Sequence, residues 1–226
     1  MATERKQLPL RPPKNPNIPI APVQYDQRYQ DQMLNALRLY FNQIDNFGAS
    51  LTGSGGGVNI SFPHIAAGDN AAQYATANNT PTIVKWNTNY SSTGFTLNID
   101  NTATAAYDGI YKITYSAQIA NTDNAAHDAI FWLRVNGTDV TASSTIFTVP
   151  ARKSAGIPSY VCGYSEVVFE MKAGDTVGLW WGTDLAASSG GAVGNYLYYR
   201  AAQTTPMPYP SVPSVIGSIT FVSALY

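Results

Sequence analysis

The chain has 226 residues and a formal net charge of −1, with only 12% of its positions charged. A nucleic-acid binder needs a basic surplus to neutralise phosphates, and 13 basic against 14 acidic side chains leave none. The single cysteine, Cys162, excludes an internal disulfide, and no run of about 18 apolar residues is present to span a bilayer.

Aromatic residues reach 12%, mostly as 15 tyrosines, in a background of Ala, Ser, Thr, Asn and Gly. That mixture suits β-sheets with uncharged polar faces, or surfaces that become buried in an assembly. The opening MATERKQLPLRPPK has basic residues with no apolar stretch behind them, so no signal peptide is expected. The expectation is a protein made in a reducing cytoplasm.

Residues 1–24 form a polar arm punctuated by Pro9, Pro12, Pro13, Pro16, Pro19 and Pro22. Prolines at that density exclude helix and central strand and predict an extended, polyproline-like segment. Its apolar residues, Leu8, Leu10, Ile18, Ile20 and Val23, are spaced between the prolines, and Arg5, Lys6, Arg11 and Lys14 face only Glu4 in the charge balance. Two readings fit such an arm: a disordered chain terminus, or a segment that orders only when laid into a partner.

From Tyr25 the pattern changes. Met33, Leu37, Tyr40, Ile44 and Phe47 follow a 4-3-4-3 rhythm, the seam of a coiled coil, widened by Leu34 and Phe41. An amphipathic trimerisation helix is predicted over 25–48, closed by Gly48, with a Gly-rich linker over 49–57. The same periodicity suits a helix packed on its own domain's sheet. The linker lets it stand apart, however, and an isolated helix of about three heptads is marginal in water, which favours self-association.

Over 58–226 short runs of β-branched and aromatic residues alternate with turn residues. Strands are expected at Val58–Ile65, Thr82–Trp86, Gly94–Ile99, Gly109–Ala120, Ala129–Val135, Asp139–Val149, Ser159–Lys172, Thr176–Gly182, Asn195–Ala202 and Ser218–Leu225. Within GIYKITYSAQIAN, Tyr111, Ile113, Tyr115 and Ala117 point one way and Ile110, Lys112, Thr114 and Ser116 the other, a strand with one buried face. Asn136-Gly137 predicts a type I′ hairpin, and Ala173-Gly174-Asp175 another turn. No helical run interrupts the strands, so the fold class is all-β, an antiparallel sandwich. Residues 66–79, 183–194 and 204–213 are expected as loops.

Residues for chemistry are few. Cys162 with His64 or His127 makes a thiol–imidazole pair arithmetically possible, but a buried, inert cysteine is expected mid-strand in YVCGYSEV. Asp123, His127 and Asp128 crowd one loop at a spacing that matches no metal-ligand motif, and a solvated polar loop is expected. Glu166 and Glu170 share a strand face, and Gly53–Gly57 lacks the lysine and helix of a phosphate loop. Neither an enzyme, a metal site nor a cofactor is expected.

The succession GIYKITYSAQI, a Val-Asn-Gly-Thr turn and Lys-Ala-Gly-Asp-Thr-Val resembles the trimeric jelly roll of tumour necrosis factor and complement globular heads. Many tailed-bacteriophage virion proteins carry a similar domain. The likeness covers residues 58–226, and its most specific pieces are Gly109-x-Tyr111 and Ala173-Gly174-Asp175-x-Val177. The segment IAPVQYDQRYQDQMLNALRLYFNQIDN resembles the N-terminal helix of phage head-fibre and capsid-decorating (cement) proteins.

The resemblance implies a homotrimeric structural protein of the virion, anchored to the major capsid protein or another virion component through its arm and helix. It also implies that Tyr196, Tyr198 and Tyr199 pack at the trimer axis, although a sugar-binding platform would use the same residues. A tail-fibre adhesin whose loops bind host-surface glycan is the alternative function.

Overall fold

The computed structural model describes residues 13–52 and 62–225. The chain divides into two units, Met1–Ser61 and Phe62–Tyr226. The first holds one helix, α1, over Gln27–Thr52. Asp26 sets its start: the carboxylate accepts the Arg28 N–H at 2.9 Å, satisfying one of the orphan donors of a first turn. Gly48 does not close the helix, contrary to the sequence expectation. It is not among the glycines with positive φ, and Ser50 Oγ donates to the Asn46 carbonyl at 2.7 Å one turn below. The linker therefore begins later than residue 49, and Gly53–Gly57 lie outside the described residues.

The arm from Pro13 is extended, and Pro13, Pro16 and Pro19 are its half-buried residues. A spacing of three is the turn of a polyproline helix, so these prolines share one face. Lys14 to Asn17 border a groove completed by Ala36, Leu39, Tyr40 and Gln43 of α1. The apolar side chains face away: Ile18 is 50% exposed, Ile20 and Val23 fully. Leu8 and Leu10 lie outside the described residues.

The second unit is an antiparallel two-sheet sandwich. In chain order its strands are β1 (His64–Asp69), β2 (Thr82–Ile83), β3 (Thr88–Thr93), β4 (Phe95–Leu97), β5 (Ala103–Ala105) and β6 (Gly109–Asn121). Then follow β7 (His127–Val135), β8 (Thr138–Asp139), β9 (Thr145–Val149), β10 (Ser159–Met171), β11 (Thr176–Thr183), β12 (Asn195–Leu197) and β13 (Val215–Ser223). One sheet runs β10-β6-β13-β1-β3 with β12 also paired to β6; the other runs β4-β5-β11-β7-β8 with β2 on β11 and β9 on β7. The four nested pairs β1·β13, β5·β11, β6·β10 and β7·β9 are those of one long hairpin of eight strands wrapped on itself. That is a jelly roll.

Two strands were not expected. Thr88–Thr93 reads as a polar separator because β3 is an edge strand exposed on both faces, where burial imposes no alternation. Ala103–Ala105 is too short to carry a period. Residues 66–69, expected as loop, continue β1 because Ile65 and Ala67 face the core while Gly68 leaves space for the Tyr90 ring.

The predicted alternation of β6 is the one observed: Tyr111, Ile113, Tyr115, Ala117 and Ile119 are buried. They meet Phe131 and Leu133 of β7 and Leu179 and Trp181 of β11 in one core. Phe131 is its hub, with ring centroids 5.6 Å from Tyr115, 5.8 Å from Phe147 and 6.0 Å from Trp181.

Asn136 and Gly137 both take positive φ, the type I′ turn predicted, and Gly174 does so in the second turn. These turns lock together: Asn136 Nδ2 donates to Asp175 Oδ1 at 2.7 Å, and Thr176 N–H donates to Asn136 Oδ1 at 2.9 Å. At another place His127 clamps two loops, its Nε2 3.0 Å from Asp123 Oδ2 and its Nδ1 3.0 Å from Asp184 Oδ2. Burial opposes charge on this ring, but the hydrogen bonds to Asp123 and Asp184 outweigh it and raise the imidazole pKa above its ordinary 6.5. The bond to His127 in turn lowers Asp123; for Asp184 burial pulls upward, but the same ring prevails.

Two outcomes follow from this packing. Phe131→Ala removes the hub of the aromatic cluster and should cost about 3–5 kcal/mol in urea unfolding. A raised imidazole pKa adds stability that is complete below the unfolded value and lost as pH rises through the folded one. The thermal midpoint should therefore fall by about 2 °C between pH 6 and pH 8, and His127→Gln should flatten that slope.

Candidate self-association surface

The outward face of the sheet β10-β6-β13-β1-β3 has an unusual composition for a solvent face. Along β10 the outward residues are Tyr160, Cys162, Tyr164, Glu166, Val168 and Glu170, and Tyr160, Tyr164 and Val168 are 43%, 59% and 57% exposed. Ile216 and Val222 of β13 are exposed as well. Between them β6 presents Thr114, Ser116 and Gln118, which are small or uncharged. The charged groups, Lys112 with Glu166 at 3.4 Å and Glu170 beyond, lie toward the Gly109 end of β6.

Register arranges large and small side chains in rows. Tyr164 and Ile216 both pair with Ser116, so a short side chain stands between two large ones. A hollow of about 250 Å³ opens there, lined by Ala66, Thr114, Ser116, Tyr164, Ile216 and Ser218. One row along, Tyr160 and Tyr196 flank Ala120 from opposite strands. Ala120 faces outward by alternation yet is fully buried.

The tyrosines that flank it form a cluster. Tyr74 stacks on Tyr196 at 5.4 Å, Tyr196 meets Tyr198 edge-on at 6.1 Å, and Tyr198 packs against Tyr160 at 4.8 Å. Burial, followed by the neighbouring phenols, pushes Tyr196 up to about 12, and burial also raises Tyr160, helped by a hydrogen bond with Tyr198. Tyr160 and Tyr196 therefore stay neutral across the physiological range and can enter an interface without desolvating charge. Offset and edge-on rings add to area burial.

The structure thus brings Tyr196 and Tyr198 together, while Tyr199 takes no part in these ring contacts. Tyr74, Tyr160, Tyr164 and Ile216 were not singled out from sequence. The signal was there in β10: Val161, Val167 and Phe169 alternate with Tyr160, Tyr164 and Val168, so both faces are partly apolar. A strand written that way has apolar surface on both sides, of which the structure buries one.

The other sequence candidates are placed apart. Cys162 is exposed rather than buried, because β10 turns its odd-numbered residues inward; Gln118 Nε2 lies 3.4 Å from its Sγ. The ring nitrogens of His64 meet the Phe62 carbonyl and Ser91 Oγ, and both nitrogens of His127 meet carboxylates. Asp128 accepts from Thr148 at 2.6 Å. Trp181 is buried in the core and Trp180 faces out beneath Arg134 at 4.2 Å.

On α1, Met33, Leu37, Tyr40 and Phe47 are half-buried, Ile44 is 37% exposed, and Leu34 and Phe41 are 61% and 58% exposed. The arm borders the flank bearing Ala36, Leu39, Tyr40 and Gln43, so it meets one residue of the expected seam, and Leu34 and Phe41 are left exposed.

Tyr164→Glu should leave the sandwich intact, since an exposed position usually changes stability by under about 0.5 kcal/mol. It puts a carboxylate into the uncharged row, so sedimentation velocity should show a lighter particle than wild type at equal concentration. An unchanged particle would remove this face from the assembly. No protein-family model matches the chain, and no curated protein matches it.

Proposed function

We propose that this protein is a structural component of a bacteriophage virion: a homotrimer that decorates or cements the capsid, or stands on it as a head fibre. It is made in the host cytoplasm and acts on the particle. The trimer packs the uncharged, tyrosine-rich face of the six-stranded sheet around its axis, with Tyr196 and Tyr198 near the axis. The seam Met33, Leu37, Tyr40, Ile44 and Phe47 of α1 joins three helices. The arm fastens the trimer to the major capsid protein or another virion component.

The observation that carries this reading is the pairing of two unpartnered surfaces with a jelly roll. Isolated exposed hydrophobic residues are ordinary, but rows of them across one sheet face mark an interaction site. The arm supports attachment in its own way. Pro16 borders the groove on α1 while Ile18, Ile20 and Val23 are exposed, an arrangement that presents apolar groups on a proline-stiffened backbone. A proline-rich segment loses less entropy on docking than a flexible one, and three arms on one trimer raise one another's effective concentration. The sequence resemblance to capsid-decorating and head-fibre proteins supplies the particle.

Deleting Ala2–Val23 should leave a soluble, folded trimer that no longer co-sediments with capsids stripped of this component. Equal binding by the truncated and full-length proteins would move the anchor to α1 or the jelly roll.

A further inference from the structure

The outward face of the other sheet carries a groove that self-association does not use. Trp132 of β7 forms one wall and Asn79, Thr80 and Pro81 the other, with Gly182 as floor and Asp128 and Asp184 at one end; the space is about 300 Å³. This is the small end of the range that ligand sites occupy. We propose that this groove binds the pyranose ring of an uncharged sugar.

The wall is held in place. Trp132 Nε1–H donates to Asp139 Oδ1 at 2.7 Å, and Arg134 Nε reaches the same oxygen at 2.5 Å while its guanidinium lies over Trp180. The indole therefore leans on its five-membered side and extends its other ring over Gly182: a Cβ there would stand 3.8 Å from Trp132 Cη2 and 3.6 Å from the Thr80 carbonyl. Trp132 lines the groove, and the face of an indole suits the flat, C–H-bearing side of a sugar ring.

The polar groups suit hydroxyls. Asp128 is fixed through Oδ1 by Thr148 Oγ1 at 2.6 Å, which leaves Oδ2 as an acceptor without a hydrogen bond among the described residues. The Asn79 side-chain amide, on a backbone at φ 54°, makes none there either and supplies donor and acceptor together. Asp184 is occupied: Oδ1 accepts from the Asp128 and Leu185 N–H groups at 3.0 and 2.9 Å, and Oδ2 meets His127. Two carboxylates disfavour an anion. A cation is disfavoured because the His127 ring already meets Asp184 Oδ2 and Asp123 Oδ2, which leaves one carboxylate oxygen, Asp128 Oδ2, without a hydrogen bond among the described residues. A neutral ring with vicinal hydroxyls uses every free group.

The test follows the indole N–H resonances of the full-length protein during titration with glucose, galactose, mannose and N-acetylglucosamine, each to about 100 mM. N-acetylneuraminic acid and choline serve as charged controls. At least one neutral hexose should shift the Trp132 resonance saturably. Gly182→Val fills the groove from a position where a Cβ makes ordinary contacts, and should weaken that binding at least about tenfold. Asp128→Asn keeps the oxygen that meets Thr148 and removes the free acceptor, with a similar loss expected. The proposal is overturned if no hexose shifts Trp132, if only choline or N-acetylneuraminic acid does, or if either folded variant binds as wild type.

Discussion

The sandwich depends on β6 having two neighbours on one edge and one on the other. It pairs along its whole length with β10, and on its far side with β13 first and β12 beyond. A strand so placed has no free backbone edge, and its side chains decide both the core and the outer face. Inward, Tyr111, Ile113 and Tyr115 fill the space between sheets. The Tyr111 hydroxyl escapes to the Tyr107 carbonyl at 2.8 Å, whereas that of Tyr115 is buried beside the Thr145 and Ser165 hydroxyls, which bond each other at 2.9 Å, and has no well-formed hydrogen bond of its own among the described residues. Burial pushes the Tyr115 phenol up to about 12. An unsatisfied hydroxyl costs about 1–3 kcal/mol, which the ring's contact area must outweigh. Outward, β6 offers short uncharged side chains, so the aromatic residues of its neighbours stand proud of it.

Much of this was legible in the residues. The alternation of β6, the Asn136-Gly137 hairpin and the presence of α1 are local patterns, fixed by geometry within one element. The connection between Asn136 and Asp175 was not, because it joins positions 39 apart that meet only when β7 and β11 pair. The same holds for the tyrosine cluster. Tyr74 lies in a loop, Tyr160 on β10 and Tyr196 and Tyr198 near β12, and only β6 brings them together. Polar edge strands such as β3 carry no period at all. Gly48 misled for a different reason: glycine permits a helix stop but does not impose one when the following residues bond back to the preceding turn.

The two sheet faces divide the proposed work. The six-stranded face has large residues in rows and little charge, which suits a matching surface on identical chains. The seven-stranded face has a pinned indole, a bare glycine and idle polar groups, which suits a small polar ligand. The β7–β11 pairing serves both the core and the outer face, since it places Trp180 against Trp132 outside and Trp181 against Phe131 inside. In the other unit, Pro16 of the arm borders α1 while Ile18, Ile20 and Val23 stay exposed.

The central claim is that three copies share the uncharged face. Light scattering after size exclusion tests it most directly, at micromolar concentration and moderate salt. The account predicts a mass of about three times the 24.3 kDa chain. A particle with the mass of one chain would contradict it.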